Sequence, residues 1–364
     1  MSTKERNIGI DLLRIFAMLC VVLVHVLSHG GAMEAAALVG GGRYYALKLI
    51  QVFGYCAVPV YAIISGYVGV GRKSKFSNLF SLMFTALFYT ILFSAIFYFL
   101  KPDEVGVREM LKAMIPDYWY LLCYCGLFLF MPFLNHILET LEQKTLFQIL
   151  LLIFVIFSCT SPIFMAMGRD PFGLLEGFSV LWLIVFYLVG GYLKLYGICK
   201  TKIKTKMSLL LFGCILLTFL SKVATNLLGY GNMNLLYHYL SPTIFLAAIA
   251  LVTLFANMKI GCEGKHIITY LSTFTFAIYL IHQQELVNMY CIQNQFSWVV
   301  NYHFLLSVIL VIACSLAIYI LCTIIDIARL YLFRLLHIKK LAVYLEKLCS
   351  RVGNWLTNKM KVNK

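Results

Sequence analysis

The stretch IGIDLLRIFAMLCVVLVHVLS, residues 8–28, decides the class of fold. About 20 consecutive apolar residues in a helix cross the ~30 Å hydrocarbon core of a bilayer, and this stretch has that length. Three ionisable side chains interrupt it, those of Asp11, Arg14 and His25. Ionisable groups inside a membrane span are costly and by default mark a functional site. The stretch therefore predicts a transmembrane helix that carries chemistry.

Nine further apolar stretches of similar length follow along the chain. They predict spans at about 45–69, 77–100, 118–138, 146–167, 175–196, 207–228, 235–256, 266–287 and 303–333. We therefore predict an all-α fold in which residues 1–333 form one polytopic membrane bundle of ten helices. Residues 334–364 alternate apolar and basic side chains, which predicts an amphipathic tail lying on the inner membrane surface.

Composition and charge support this class of protein. Hydrophobic residues make up 62% of the chain and charged residues only 12%, against about 25% charged in a soluble domain. The net charge of +15 does not indicate nucleic-acid binding, because Lys and Arg lie in short loops and in the tail, where they contact anionic lipid. The 12 cysteines are scattered without a C-x-x-C pair, so we expect neither disulfides nor a metal site.

The basic residues also predict the orientation of the spans. Alternate connections hold most of them, and Lys- and Arg-rich connections face the cytoplasm. Both termini are then predicted to be cytoplasmic. The connections and tail that carry this prediction contain Lys4, Arg6, Arg72, Lys73, Lys75, Lys144, Lys200, Lys202, Lys204, Lys206, Lys259, Lys265, Arg334, Lys339, Lys340, Lys347, Arg351, Lys359, Lys361 and Lys364.

Arg14 and His25 lie on one face of the first predicted helix. Their separation corresponds to three turns plus about 20°, which places them about 16 Å apart along the axis. Asp11, three residues before Arg14, is placed to pair with it. Purely structural roles also fit these residues. An arginine near a helix start can extend to the membrane interface, and a lone histidine can be a packing contact.

Several segments, in their order along the chain, resemble the membrane-embedded acyltransferase-3 family. Arg14 and His25, with ten residues between them, match its Arg-x10-His signature. The letters D-L-L come directly before Arg14. Four more segments match family patterns: PVYAIISGY at 59–67, Trp119-Tyr120-Leu121 with Pro132, FYLVGGY at 186–192 and TFAIYLIH at 275–282. The frequent extracytoplasmic hydrolase-like domain is absent, so the resemblance is to a stand-alone form.

The resemblance implies an activity and a set of site residues. Members move an acyl group, most often acetyl, from cytoplasmic acyl-coenzyme A to a hydroxyl of an extracytoplasmic or lipid-linked glycan. It further implies a multi-pass protein of the bacterial cytoplasmic membrane that O-acetylates a polysaccharide. The residues expected to act are Asp11, Arg14 and His25 in catalysis, with Ser65, Tyr67, Trp119, Tyr279 and His282 in substrate binding.

The chemistry of ester formation fits these residues. A base must take the proton of the acceptor hydroxyl, and histidine suits this near neutral pH. The Tyr279 hydroxyl can donate to the oxyanion. Arg72, Lys73 and Lys75 at the inner mouth can hold the phosphates of acyl-coenzyme A, although the positive-inside rule alone also accounts for that loop. The Arg14–His25 spacing is of the order of an extended pantetheine arm, so we expect the arm to enter the bundle.

Two other functions and one variant mechanism stay open. A flippase or transporter for a glycan or lipid-linked sugar would also use intramembrane charges such as Lys222, Asp326 and Arg329. A membrane scaffold or sensor would tolerate changes at Arg14 and His25. In the variant mechanism, His25, Ser65 or Tyr67 would carry the acyl group covalently.

Overall fold

A computed structural model describes residues 6–197, 203–231 and 233–362, and these residues form helices and connecting turns with no β-strand. Lys4, Lys200, Lys202 and Lys364 of the orientation argument lie outside the described residues. The helices are α1 Ile8–Ser28, α2 Ala32–Val39, α3 Gly41–Gly54, α4 Ala57–Gly69, α5 Phe76–Leu100, α6 Val107–Ala113, α7 Trp119–Thr140, α8 Gln143–Ile153, α9 Ser161–Ala166, α10 Val180–Tyr196, α11 Ile203–Leu227, α12 Pro242–Ala256, α13 Cys262–Leu271, α14 Thr275–His282, α15 Glu285–Val287, α16 Phe304–Leu335 and α17 Ile338–Val362.

The predicted class of fold is confirmed, because the described residues include seven helical stretches long and apolar enough to cross a membrane. Two shorter apolar helices, α10 and α12, and the interrupted pair α13–α14 occupy the positions of the other three predicted spans. The seven long stretches are Ile8–Ser28, Gly41–Gly69, Phe76–Leu100, Trp119–Thr140, Gln143–Ala166, Ile203–Leu227 and Phe304–Leu335.

The ninth predicted span, 266–287, is interrupted where the sequence pattern predicts one continuous helix. Its helix α13 ends at Leu271 and α14 begins at Thr275. The hydroxyls of Ser272 and Thr273 donate to backbone carbonyl oxygens one turn back, at 2.9 and 2.7 Å. Such bonds compete with the helical backbone ladder. The sixth and eighth spans also begin later than predicted, at Val180 and Pro242.

Helix α1 lies at the centre of the bundle, in contact with α3, α4, α12, α13, α14 and α16. A helix that is apolar around most of its circumference is buried among others, which accounts for this position. Gly9 permits a close approach to α12, because a Cβ at this position would lie 1.9 Å from the carbonyl oxygen of Phe255. The ionisable residues of α1 are thereby held inside the protein.

Helices α4 and α10 approach each other through glycine, as the Gly-containing segments of the two predicted spans suggest. A Cβ at Gly66 would lie 1.9 Å from the Tyr187 carbonyl oxygen, and one at Gly190 would lie 1.9 Å from that of Ile63. Small residues at such crossings let the backbones meet in membrane bundles. This contact brings Tyr67 and the end of α10 together at one end of the bundle.

The amphipathic tail is a separate helix, α17, which packs against α5. A turn at His337, with φ 53°, joins it to α16, which continues to Leu335. Leu341, Tyr344, Leu348 and Val352 are exposed on α17.

The end of the bundle that holds the start of α1 is called the inner end, and the opposite end is called the outer end. The predicted orientation places the inner end in the cytoplasm.

Candidate functional site

Two histidines from distant parts of the chain form a hydrogen-bonded pair. His25 lies in the last turn of α1 and His282 is the last residue of α14. The His25 Nδ1 and His282 Nε2 atoms are 2.8 Å apart, and His282 Nδ1 is 2.6 Å from the carbonyl oxygen of Ile278. His282 is buried, with 1% of its surface exposed, while His25 is partly exposed.

The partners of these rings assign the tautomers. A carbonyl oxygen only accepts, so Nδ1 of His282 carries the proton and donates to Ile278. In the neutral ring Nε2 of His282 is then an acceptor, and Nδ1 of His25 donates to it. This leaves Nε2 of His25 unprotonated, and it has no hydrogen-bond partner among the described residues. An imidazole nitrogen in this state is ready to accept a proton.

His25 lines a cavity of about 310 Å³, here called the histidine cavity. Aromatic rings form most of its wall, and Ser28, His29 and Gln283 add polar groups. The His29 ring stacks on that of His25 with centroids 5.0 Å apart, and burial lowers the pKa of His29. The aromatic residues of the wall are Tyr55, Tyr61, Trp119, Tyr120, Phe178, Tyr239, Phe276 and Tyr279.

Gln283 contributes a polar group that the sequence interpretation missed. Its Nε2 is buried and has no hydrogen-bond partner among the described residues. A buried donor without a partner is costly, and its presence beside a reactive centre calls for an explanation. The available signal was its position directly after His282, the last residue of the matched segment.

A second cavity of about 260 Å³, here called the mouth cavity, opens at the inner end. The buried Asp11 carboxylate accepts from Arg6 Nε at 2.5 Å and from Arg14 Nη1 at 2.9 Å. The predicted Asp11–Arg14 pair is thus present, with Arg6 as a further partner. The cavity is lined by Arg6, Asn7, Ile10, Asp11, Arg14, Tyr67, Val68, Val70, Arg72 and Lys194.

A third cavity of about 280 Å³, the middle cavity, lies between the other two. Arg14 lines both the mouth and the middle cavity, while Tyr61, Tyr120 and Phe276 line both the middle and the histidine cavity. The Tyr61 hydroxyl donates to the Arg14 carbonyl oxygen at 2.6 Å. Shared walls arrange the three cavities in a row from the inner end to His25.

The structure distributes the predicted residues along this row. Trp119 and Tyr279 lie with His25 in the histidine cavity, and Ser65 lines the middle cavity. His282 lies behind His25 and does not line the cavity, although the sequence interpretation placed it on the substrate. Lys73 and Lys75 are exposed and line none of the three cavities, whereas Arg72 does.

Lys194 is the cation of the mouth cavity that the sequence interpretation missed. It follows the FYLVGGY segment in the last turn of α10. Its Nζ lies 4.9 Å from the centroid of the Tyr67 ring, a cation–π distance. A lysine at the inner end of a span is normally read as an interfacial anchor, so the sequence does not distinguish this role from binding.

One comparison with known proteins finds a match. A protein family described as an acyltransferase domain matches residues 7–322 of the 364. The matched region includes the histidine pair and, except for Arg6, the lining residues of all three cavities. No curated protein and no solved structure matches the chain significantly.

Proposed function

Because this chain belongs to the acyltransferase-3 family, as the match over residues 7–322 shows, it is a membrane acyltransferase, and we propose that it acts as an O-acyltransferase on a glycan. The proposed donor is acyl-coenzyme A at the inner end, most simply acetyl-coenzyme A. The proposed acceptor is a hydroxyl of an extracytoplasmic or lipid-linked sugar. The observation that carries the proposal is the row of three cavities leading from a basic mouth to a histidine base.

The mouth cavity supplies the charge that a coenzyme A nucleotide needs. Arg72 and Lys194 line it, and the pair of guanidiniums on Asp11 adds a net positive charge at its wall. Guanidinium and ammonium groups bind phosphate through charge-assisted hydrogen bonds. The pantetheine arm would then occupy the middle cavity. The distance of about 16 Å from Arg14 to His25 along α1 suits an extended arm.

His25 supplies the base in this proposal. Its Nε2 takes the proton of the acceptor hydroxyl as the oxygen attacks the thioester carbonyl carbon. The new C–O bond forms, the C–S bond breaks, and the proton passes from Nε2 to the departing thiolate. Gln283 Nε2 and the Tyr279 hydroxyl are the proposed donors to the oxyanion, since both residues line the cavity.

Direct transfer is the mechanism that this arrangement favours over a covalent acyl-enzyme on Ser65 or Tyr67. Ser65 lines the middle cavity and its hydroxyl donates to the Tyr61 carbonyl oxygen at 2.9 Å, while Tyr67 lines the mouth. Neither residue lines the histidine cavity. Incubation with labelled acetyl-coenzyme A without acceptor should therefore leave no stable acyl-protein, and recovery of one would favour the covalent mechanism.

The proposed function is tested with purified protein in lipid vesicles supplied with acetyl-coenzyme A. We expect release of free thiol that increases when a hydroxyl acceptor such as a surface polysaccharide fragment is added on the outer side. No release from folded protein that still binds a lipid-linked sugar would instead indicate a flippase, which needs no thioester.

His282 is expected to act by positioning His25. Replacing His282 with leucine removes the acceptor for His25 Nδ1–H and frees the base to rotate or change tautomer. We expect kcat to fall about 10- to 10²-fold, a part of the ~10²–10⁴-fold supplied by a general base, with the KM for acetyl-coenzyme A within about twofold. His282→Gln should retain more activity because its Oε1 accepts a hydrogen bond. Equal loss in both variants would indicate a purely structural role.

The mouth cavity is expected to set the affinity for the donor. Arg72→Gln and Lys194→Gln should each raise the KM for acetyl-coenzyme A about three- to tenfold, which corresponds to about 1 kcal/mol, and less at high salt. The exposed Lys144, on another predicted cytoplasmic connection, provides the control Lys144→Gln. Larger effects at Lys73 and Lys75 than at Lys194 would place the phosphates on the loop outside this cavity.

A further inference from the structure

A fourth cavity, of about 300 Å³, lies at the outer end and is here called the outer cup. Helix α9 and the connections that follow α9 and α11 form its wall. Its polar residues are Glu176, Asn234 and His238, set beside apolar Pro162 and Met165. A cavity of this size suits a small ligand, and a few fixed polar groups in an apolar wall are typical of binding sites.

His238 presents an unused acceptor in the outer cup. The residue is 4% exposed, and its Nε2 lies 3.1 Å from the carbonyl oxygen of Leu235. Burial lowers the pKa of His238 to about 4, so the ring is neutral near pH 7. Since Nε2 donates to the carbonyl, Nδ1 carries a lone pair. This Nδ1 is buried and has no hydrogen-bond partner among the described residues.

Glu176 is placed in the outer cup by a backbone that non-glycine residues rarely adopt. Leu175 and Glu176 have φ of 50° and 56°, in the left-handed region. The Asp170 carboxylate accepts from the backbone amides of Leu174 and Leu175 at 3.0 and 2.7 Å, which holds this turn. Strained conformations that persist in this way concentrate at functional sites. The carboxylate adds a second hydrogen-bond acceptor to the cup.

Asn234 and Lys222 limit the charge of the ligand. The Lys222 ammonium donates to Asn234 Oδ1 at 2.9 Å and to the Met233 carbonyl oxygen at 3.2 Å, so it stands behind the wall. Its charge opposes binding of a cation, while the Glu176 carboxylate opposes binding of an anion. The Asn234 Nδ2 group is the donor end of the same amide. The outer cup thus has two acceptors, Glu176 and His238 Nδ1, and one donor, Asn234 Nδ2. These groups match neutral hydroxyl groups, which both donate and accept hydrogen bonds.

The outer cup and the histidine cavity have a common wall. Glu176 and His238 line the cup, while Phe178 and Tyr239, one or two residues along, line the histidine cavity. The Phe178 and Tyr239 ring centroids are 5.2 Å apart, and the Trp182 Nε1–H donates to the Tyr239 carbonyl oxygen at 3.2 Å. A chain of linked rings entering from the outer end can therefore contact both cavities, with aromatic faces packed on its C–H groups.

We propose that the outer cup binds a neutral sugar ring of the acceptor, next to the ring whose hydroxyl is acylated at His25. This inference rests on the proposed function for its biological use, but not for the binding itself. Glu176 and His238 accept hydrogen bonds from ring hydroxyls, and Asn234 donates one. A single sugar then binds in the cup without any acyl donor.

The test measures sugar binding by saturation-transfer NMR on full-length protein in lipid nanodiscs, without coenzyme A. The probes are methyl β-D-glucopyranoside and methyl 2-acetamido-2-deoxy-β-D-glucopyranoside. We expect transfer to at least one of them, reduced at least fivefold by Glu176→Gln and by His238→Gln. Glu34→Gln is the matched control, since Glu34 is also an exposed carboxylate on an outer connection.

Three outcomes would overturn the proposal: no transfer to either glycoside in the native protein, equal transfer in both cup variants, or displacement of the glycoside by choline, which would assign a cation site. Glu176 is exposed, so its variant keeps the test valid if His238→Gln fails to fold. Sugar binding without His25-dependent thiol release would retain the outer cup as a sugar site and reject the proposed O-acyltransferase function with His25 as base. His25-dependent thiol release without sugar binding would reject only the outer cup as a sugar site.

Discussion

Replacing His25 with alanine is expected to reduce acyl transfer to background while the protein still inserts and folds. A positioned general base contributes about 10²–10⁴-fold to a rate, and no other group of the histidine cavity has its hydrogen-bonded support from His282. The measurement is thiol release from acetyl-coenzyme A in vesicles, with and without a glycan acceptor. The KM for the donor should change little, because the base contacts the acceptor hydroxyl.

The control for this variant is another histidine outside the cavities. His266 is exposed on α13 and lines none of the three cavities, so His266→Ala should keep native activity. Full activity in His25→Ala protein would show that the base lies elsewhere. His29, whose ring stacks on His25, would then be the first alternative.

Asp11→Asn is expected to produce a large loss of stability. The carboxylate is 2% exposed and binds the guanidiniums of Arg6 and Arg14. Removing one member of a buried ion pair costs about 3–5 kcal/mol, because the remaining charge stays without compensation. Since Arg14 is itself partly exposed, we expect the lower part of this range. The measurement is the unfolding midpoint in detergent together with the yield of folded protein.

A double variant separates stability from activity at this pair. Asp11→Asn combined with Arg14→Met removes the more buried of the two uncompensated guanidiniums and leaves only the half-exposed Arg6, so part of the lost stability should return. The double variant should nevertheless have a high KM for acetyl-coenzyme A, because a cation of the mouth cavity is missing. Recovery of activity along with stability would assign Asp11 and Arg14 a structural role only.

The membrane-spanning helices and the shared helix face of Arg14 and His25 can be predicted from the sequence, because both depend only on residues that are close along the chain. Hydrophobic length predicts a span, and the period of 3.6 residues places Arg14 and His25 on one face without knowledge of any other helix. The same reasoning identifies Asp11 as a partner of Arg14, which the structure confirms. It fails at Ser272 and Thr273, where side-chain hydroxyls compete with the backbone ladder inside an apolar stretch.

Only the tertiary structure shows which distant residues meet. His25 and His282 are 257 residues apart, and their hydrogen bond, which sets the tautomer of the base, depends on how α14 packs against α1. In the same way, α4 and α10 approach each other at Gly66 and Gly190, and Lys194 at the end of α10 lines the mouth cavity. Lys73 and Lys75 do not line it. The charge pattern and the hydrophobic periodicity of the sequence do not predict these distances, because the distances arise from the close packing of whole helices.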